Sequence, residues 1–152
     1  MFRNVFLTLS LLMLATSSLS AYACDQACKK DEIDSYLSHI VKIFVRGSTE
    51  ADIDKFLNQL HDEVKYEHSE YGADFDKLKW REAFVHQLKL GSYTDEPTLD
   101  GRVLNIIYGK QHAAVEYTYG EVDSQGVWKA GHIKFALFGF KDGKISLIRE
   151  YW

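Results

Sequence analysis

The sequence predicts an α+β domain: three N-terminal helices lying on one face of a curved antiparallel sheet. Three observations carry this. Apolar residues recur at helical spacing in three segments before Gly91. Beyond a polar loop, four segments alternate or run apolar in the manner of strands. Those segments are joined by short turns, of which Asp142-Gly143 is a strong two-residue hairpin signal. Helices first and a meander afterwards is the α+β pattern.

The elements follow in order. Residues 1–23 read as a secretory signal peptide: Arg3, an apolar stretch from Val5 to Ala15, then Ala21-Tyr22-Ala23 as the cleavage site. The apolar stretch is short for a membrane span, so the expectation is an exported protein, periplasmic or secreted, with no membrane span in the mature chain. Cleavage makes Cys24 the first residue. A lipoprotein signal normally carries a Leu-like residue three places earlier, where Ala21 stands. In an oxidising compartment Cys24 and Cys28 can close a small disulfide within the 24–32 tail. One domain, 33–152, follows.

Ile33, Tyr36, Leu37, Ile40 and Phe44 mark a helix over about 31–46, stopped by Gly47. Ser48 or Thr49 caps the next, whose apolar face is Ile53, Phe56, Leu57 and Leu60. In Val64–His68 the period changes to that of a short strand. Tyr71-Gly72 turns the chain, Asp74 or Asp76 caps a third helix, and Trp80, Phe84 and Leu88 form its stripe. The strands are then 102–108, 113–122, 129–140 and 144–152. The third of these is apolar on both faces, although an antiparallel sheet normally shows water one polar face. The helices cover one side, so Ile133, Phe135, Leu137, Leu147 and Tyr151 on the other are expected to meet a second copy of the chain.

The net charge is −4, with Lys and Arg scattered rather than grouped on a face, which argues against nucleic acid as a partner. The sequence carries no phosphate-binding glycine loop, no nucleotide fingerprint and no Ser-His-Asp arrangement. No cofactor is indicated.

Two segments carry a resemblance. "HDEVKYEHSEYG" resembles the first strand, and "DGKISLIREYW" the final hairpin and strand, of the nuclear transport factor 2-like superfamily, in its SnoaL-like and ketosteroid-isomerase-like branch. The order of elements over about 33–152 is similar as well. The resemblance implies a cystatin-like roll, a cone of sheet wrapped around the helices with an apolar pocket inside. It turns Ile148, Glu150 and Trp152 inward, together with His132, Lys134, Ala136 and Phe138, with Val115 and Tyr117, and with Tyr66 and His68. Ketosteroid isomerase uses an Asp base with a Tyr and a protonated Asp as oxyanion donors, a worked case of tuned acidity. Matched by position, the base falls on His68, the protonated Asp on Ala136 and the Tyr near Ile40, so both oxyanion donors are missing. The carboxylate that the dehydratase branch carries near the end of the first helix is missing too.

The candidate catalytic residues are His68, which can accept and return a proton near neutral pH, and Glu150 and Lys134 as its electrostatic partners. A pocket-facing Glu150 needs a partner; Lys134 and His132, one strand over, are the expected ones. Lys134 as a Schiff-base nucleophile is the weaker reading of that residue. His68, His132 and Glu150 could bind a metal only by converging from separate strands, and no ligand spacing asks for one; no metal site is assigned. The expected ligand-binding residues are Tyr66, Trp80, Val115, Tyr117, His132, Phe138, Ile148 and Trp152. Three functions remain open: a binding module for a small, largely apolar molecule; a cofactor-free lyase or isomerase with His68 as general base, acting by enolisation, dehydration or cyclisation; and a dimeric interaction domain with a filled core.

Overall fold

Asp25 opens the first helix by accepting from the Cys28 amide at 2.9 Å, five residues ahead of the start expected from the apolar stripe. The computed structural model describes residues 24–92 and 99–152. The proposed signal peptide lies outside the described residues. Cys24 and Cys28 are joined by a disulfide. Helix α1 spans Gln26–Ile40 and tightens into a 3₁₀ turn, Val41–Phe44. Helix α2 is Glu50–Gln59; Asp52 accepts from both the amide and the hydroxyl of Thr49 at 2.8 Å.

Strands β1 (Lys65–His68) and β2 (Ala73–Asp76) form a hairpin, and Asp76 caps helix α3, Lys77–Leu90. Gly91 ends α3 in the left-handed region, φ 65°, returning its amide to Gln87 and Leu88. Strands β3 (Leu99–Tyr108), β4 (His112–Val122), β5 (Trp128–Lys141) and β6 (Lys144–Glu150) make the meander. Asp142 and Gly143 both have positive φ, 51° and 79°, as a tight primed hairpin turn requires.

The sheet runs β2-β1-β6-β5-β4-β3. One pairing departs from the expected antiparallel order: β1 lies parallel to β6, with Tyr66 opposite Ile148 and His68 opposite Glu150, so the sheet is mixed. Irregular pairing at Val103/Asn105, Thr118/Gly120 and Gly139/Phe140 lets the sheet curl. At Gly120 a side chain would strike the Lys129 carbonyl at 2.3 Å, so only glycine allows the strands this approach.

The concave face is closed by side chains. Ile33, Tyr36, Leu37, Ile53, Phe56 and Leu60 from the helices meet Val115, Tyr117, Ala136, Phe138, Ile145 and Ile148 from the sheet. Each large apolar group removed from water contributes on the order of 1.5–3 kcal/mol. Lys29 is buried among them. Its ammonium donates to the Gly109 and Lys110 carbonyls at 2.7 and 3.0 Å, tying α1 to the β3–β4 turn. On the convex face Ile133, Phe135 and Tyr151 are 67%, 41% and 48% exposed, while Leu137 and Leu147 are half-buried. Among the described residues no helix is long and apolar enough to cross a membrane.

Candidate functional site

Strand alternation puts Tyr66 and His68 on one face of β1, and the parallel register sets them beside Ile148 and Glu150 of β6. Helix α3 brings Trp80, Ala83, Phe84 and Gln87 to the same place, at the i, i+3, i+4, i+7 spacing of one helical stripe. Between α3 and the β1–β2 hairpin lies an open cleft of about 360 Å³. Ile40, Phe75, Trp80, Ala83 and Phe84 supply its apolar walls; Tyr66, His68, Tyr71 and Gln87 bring polar atoms. The Tyr66 ring stacks on Trp80, centroids 4.6 Å apart.

His68 has no solvent exposure, and neither imidazole nitrogen has a hydrogen-bond partner among the described residues. Its ring is enclosed by aromatics: Tyr71 at 4.3 Å and the edge of Trp152 at 4.7 Å.

Behind this wall is a second polar group. Glu150 is 3% exposed and accepts from Tyr66 Oη at 2.7 Å and from Tyr117 Oη at 2.5 Å. Trp152 Nε1 donates to the Tyr117 oxygen at 3.2 Å. Burial, and after it the Glu150 charge, pushes the Tyr66 and Tyr119 phenols far up; burial, then Tyr119 and Glu150, does the same to Tyr117. All three stay protonated and serve as donors or neutral groups. Tyr36 is raised by the same causes, and its buried hydroxyl has no partner among the described residues.

The expected partners of Glu150 are arranged differently. Lys134 lays its ammonium over the Trp152 ring, and partial burial lowers its pKa while the Glu150 charge opposes that shift. His132 is exposed and lies in a separate groove with Tyr119 and Gly131. It sits there because β6 pairs with β5 only from Ala136 onward, so the earlier half of β5 projects past its neighbour. The carboxylate is therefore satisfied by phenols rather than by an ion pair.

Of the expected ligand-binding residues, Tyr66 and Trp80 line the cleft together with His68. Val115, Tyr117, Phe138 and Ile148 face inward but are wholly buried in packed core. Bulky side chains occupy the cone's interior, so the space lies to one side of it. Trp152 does not touch the cleft; it backs His68. Among the described residues no three His, Cys, Asp or Glu side chains converge on a metal position. Sequence reasoning missed Phe75, Ala83 and Gln87 as lining, Tyr71 as a cover, and Tyr36 and Tyr119 as neighbours of Glu150. The i, i+3, i+7 spacing from Trp80 was the available signal for Ala83 and Gln87.

No protein-family model and no curated protein matches the sequence. Solved structures match in fold. An NTF2-like protein of unknown function from Burkholderia pseudomallei is 13% identical with a TM-score of 0.52, over 84% of this chain and 92% of that one. A loop-truncation variant of IdmH is 14% identical with a TM-score of 0.50, over 80% of this chain and 90% of that one. At these identities the likeness establishes the fold, a nuclear transport factor 2-like α+β roll.

Proposed function

We propose that this nuclear transport factor 2-like domain is an exported binding module for a small, largely apolar molecule. The ligand occupies the cleft between α3 and the β1–β2 hairpin. The observation that carries the reading is the lining: five apolar side chains, among them Trp80 stacked on Tyr66, around a concave space with few polar groups. A cleft of about 360 Å³ suits a molecule of two or three fused rings. Export is supported by the composition of residues 1–23 and by the Cys24–Cys28 disulfide, which suits an oxidising compartment. The exposed Ile133, Phe135 and Tyr151 support a homodimer through the convex face of the sheet.

Calorimetric titration with naphthalene tests the binding role. Saturable binding is expected, abolished by Ala83→Trp, which fills the cleft from α3. Equal binding by that variant would overturn the assignment.

A second reading, a cofactor-free isomerase or lyase, is favoured by one observation: the His68 imidazole stands at the cleft wall beside the Tyr66 phenol. Against it, neither nitrogen is hydrogen-bonded, so nothing orients the ring or fixes its tautomer as a general base requires. Deuterium exchange at the α-carbon of an enolisable ketone such as tetralone separates the two. Exchange that depends on His68 would support catalysis; none beyond the buffer rate would leave binding alone.

A further inference from the structure

We infer that Tyr71 is a lid over His68, and that the ligand which lifts it carries a hydroxyl group on its apolar body. The inference rests on the binding role proposed for the cleft. His68 is fully buried, lines that cleft, and has both ring nitrogens unpaired. A buried polar group left unpaired is costly, and native structures seldom keep one without a use. A neutral imidazole presents one donor and one acceptor. A hydroxyl can meet either, accepting from the ring N–H or donating to the bare nitrogen.

The nitrogens are closed off, so something must move before they are reached. Two rings cover the imidazole, and they are held unequally. Trp152 is anchored by its hydrogen bond to Tyr117 and by Lys134 over its face. Tyr71 is 71% exposed and is held by ring contacts to His68 and Trp152, its hydroxyl making no hydrogen bond among the described residues. It sits in the β1–β2 turn, closed by a long Gly72–Ser69 backbone contact of 3.4 Å. Gly72 there is left-handed, φ 63°, with open space around it. A swing of the turn would part Tyr71 from the two rings it touches, His68 and Trp152. A ligand oxygen would then replace the Tyr71 ring at His68, while the apolar body rests against Trp80 and Phe84.

The experiment compares naphthol with naphthalene by calorimetry and, through tryptophan fluorescence, by stopped flow. The wild type should bind naphthol about tenfold more tightly than naphthalene, as one hydrogen bond to a buried group implies. His68→Phe keeps the ring shape and should bring the ratio close to one while naphthalene still binds. Tyr71→Ala should raise the association rate for naphthol. Equal affinities in the wild type, or a preference that survives His68→Phe, would overturn the inference. Should His68→Phe not fold, Tyr71→Ala, at an exposed position, still decides: an unchanged association rate overturns the lid. Failure of both probes to bind the wild type removes the binding role itself, which is a different outcome from binding without preference.

Discussion

The Tyr66 phenol donates to Oε2 of Glu150 at 2.7 Å, reaching diagonally across the parallel β1–β6 pair. One side chain thereby joins two environments. Its ring stacks on Trp80 in the cleft wall, and its oxygen belongs to the buried Glu150–Tyr117 group. The carboxylate fixes the Tyr66 ring and so fixes one wall of the cleft. Removing it disturbs the fold and the cleft together.

Glu150→Leu should destabilise the fold by about 2–4 kcal/mol, because the buried Tyr117 and part-buried Tyr66 phenols lose their acceptor while one apolar side chain is gained. Glu150→Gln, which still accepts from a phenol, should cost less. Urea denaturation measures both. A loss within experimental scatter for Glu150→Leu would mean that the phenols find other partners.

Trp152→Phe removes the donor to Tyr117 and should cost about 1 kcal/mol. Trp152→Ala should cost more, since the edge contact with His68 and the seat of Lys134 go with the ring. Matching melts for the two variants would show that the indole N–H, not the ring, matters.

Asp76 gives a pH dependence of known sign. Its bond to the Lys79 amide holds its carboxyl below the usual 3.8. Its contribution is therefore present above the unfolded value and lost as pH falls through the lowered folded one. Asp76→Ala should melt earlier than wild type at neutral pH, and the gap should close at a pH well below 3.8. A gap that persists in acid would assign the effect to packing rather than to the cap.

Ile133→Asp places a charge on the exposed apolar strip, two residues along β5 from the Phe135–Tyr151 pair. Sedimentation should show a dimer for the wild type at micromolar concentration and a monomer for the variant, with thermal stability of the monomer fold little changed. A wild-type monomer would remove the proposed interface.

The three helices, the meander and the Asp142-Gly143 turn were legible because each is a local pattern: periodicity, a cap, or a dipeptide that tolerates positive φ. The inward facing of Ile148 and Glu150 came from the family resemblance, with strand alternation from the same turn agreeing. Strand β2 was not legible, being four residues long and running straight into the Asp76 cap. Nor was the parallel β1–β6 pairing, which joins residues some eighty positions apart. Tyr66, His68 and Trp80, singled out from the sequence as candidates, stand around one cleft. Its position beside the cone depends on how far Tyr117 and Phe138 fill the interior, and volume of that kind has no signature in a pattern of polar and apolar letters. Tyr36 shows the same limit. Its position belongs to the apolar stripe of α1, while its hydroxyl lies close enough to feel the Glu150 charge.

The central claim is that the ligand space lies between α3 and the β1–β2 hairpin. Two-dimensional NMR of the labelled protein during titration with naphthol tests this most directly. Saturable shifts are expected at the cleft lining alone: the Trp80 indole, the Ala73 and Ala83 amides and methyls, Gln87, and His68 and Tyr71. Shifts centred instead on Val115, Ala136 and Ile148, inside the cone, would contradict it.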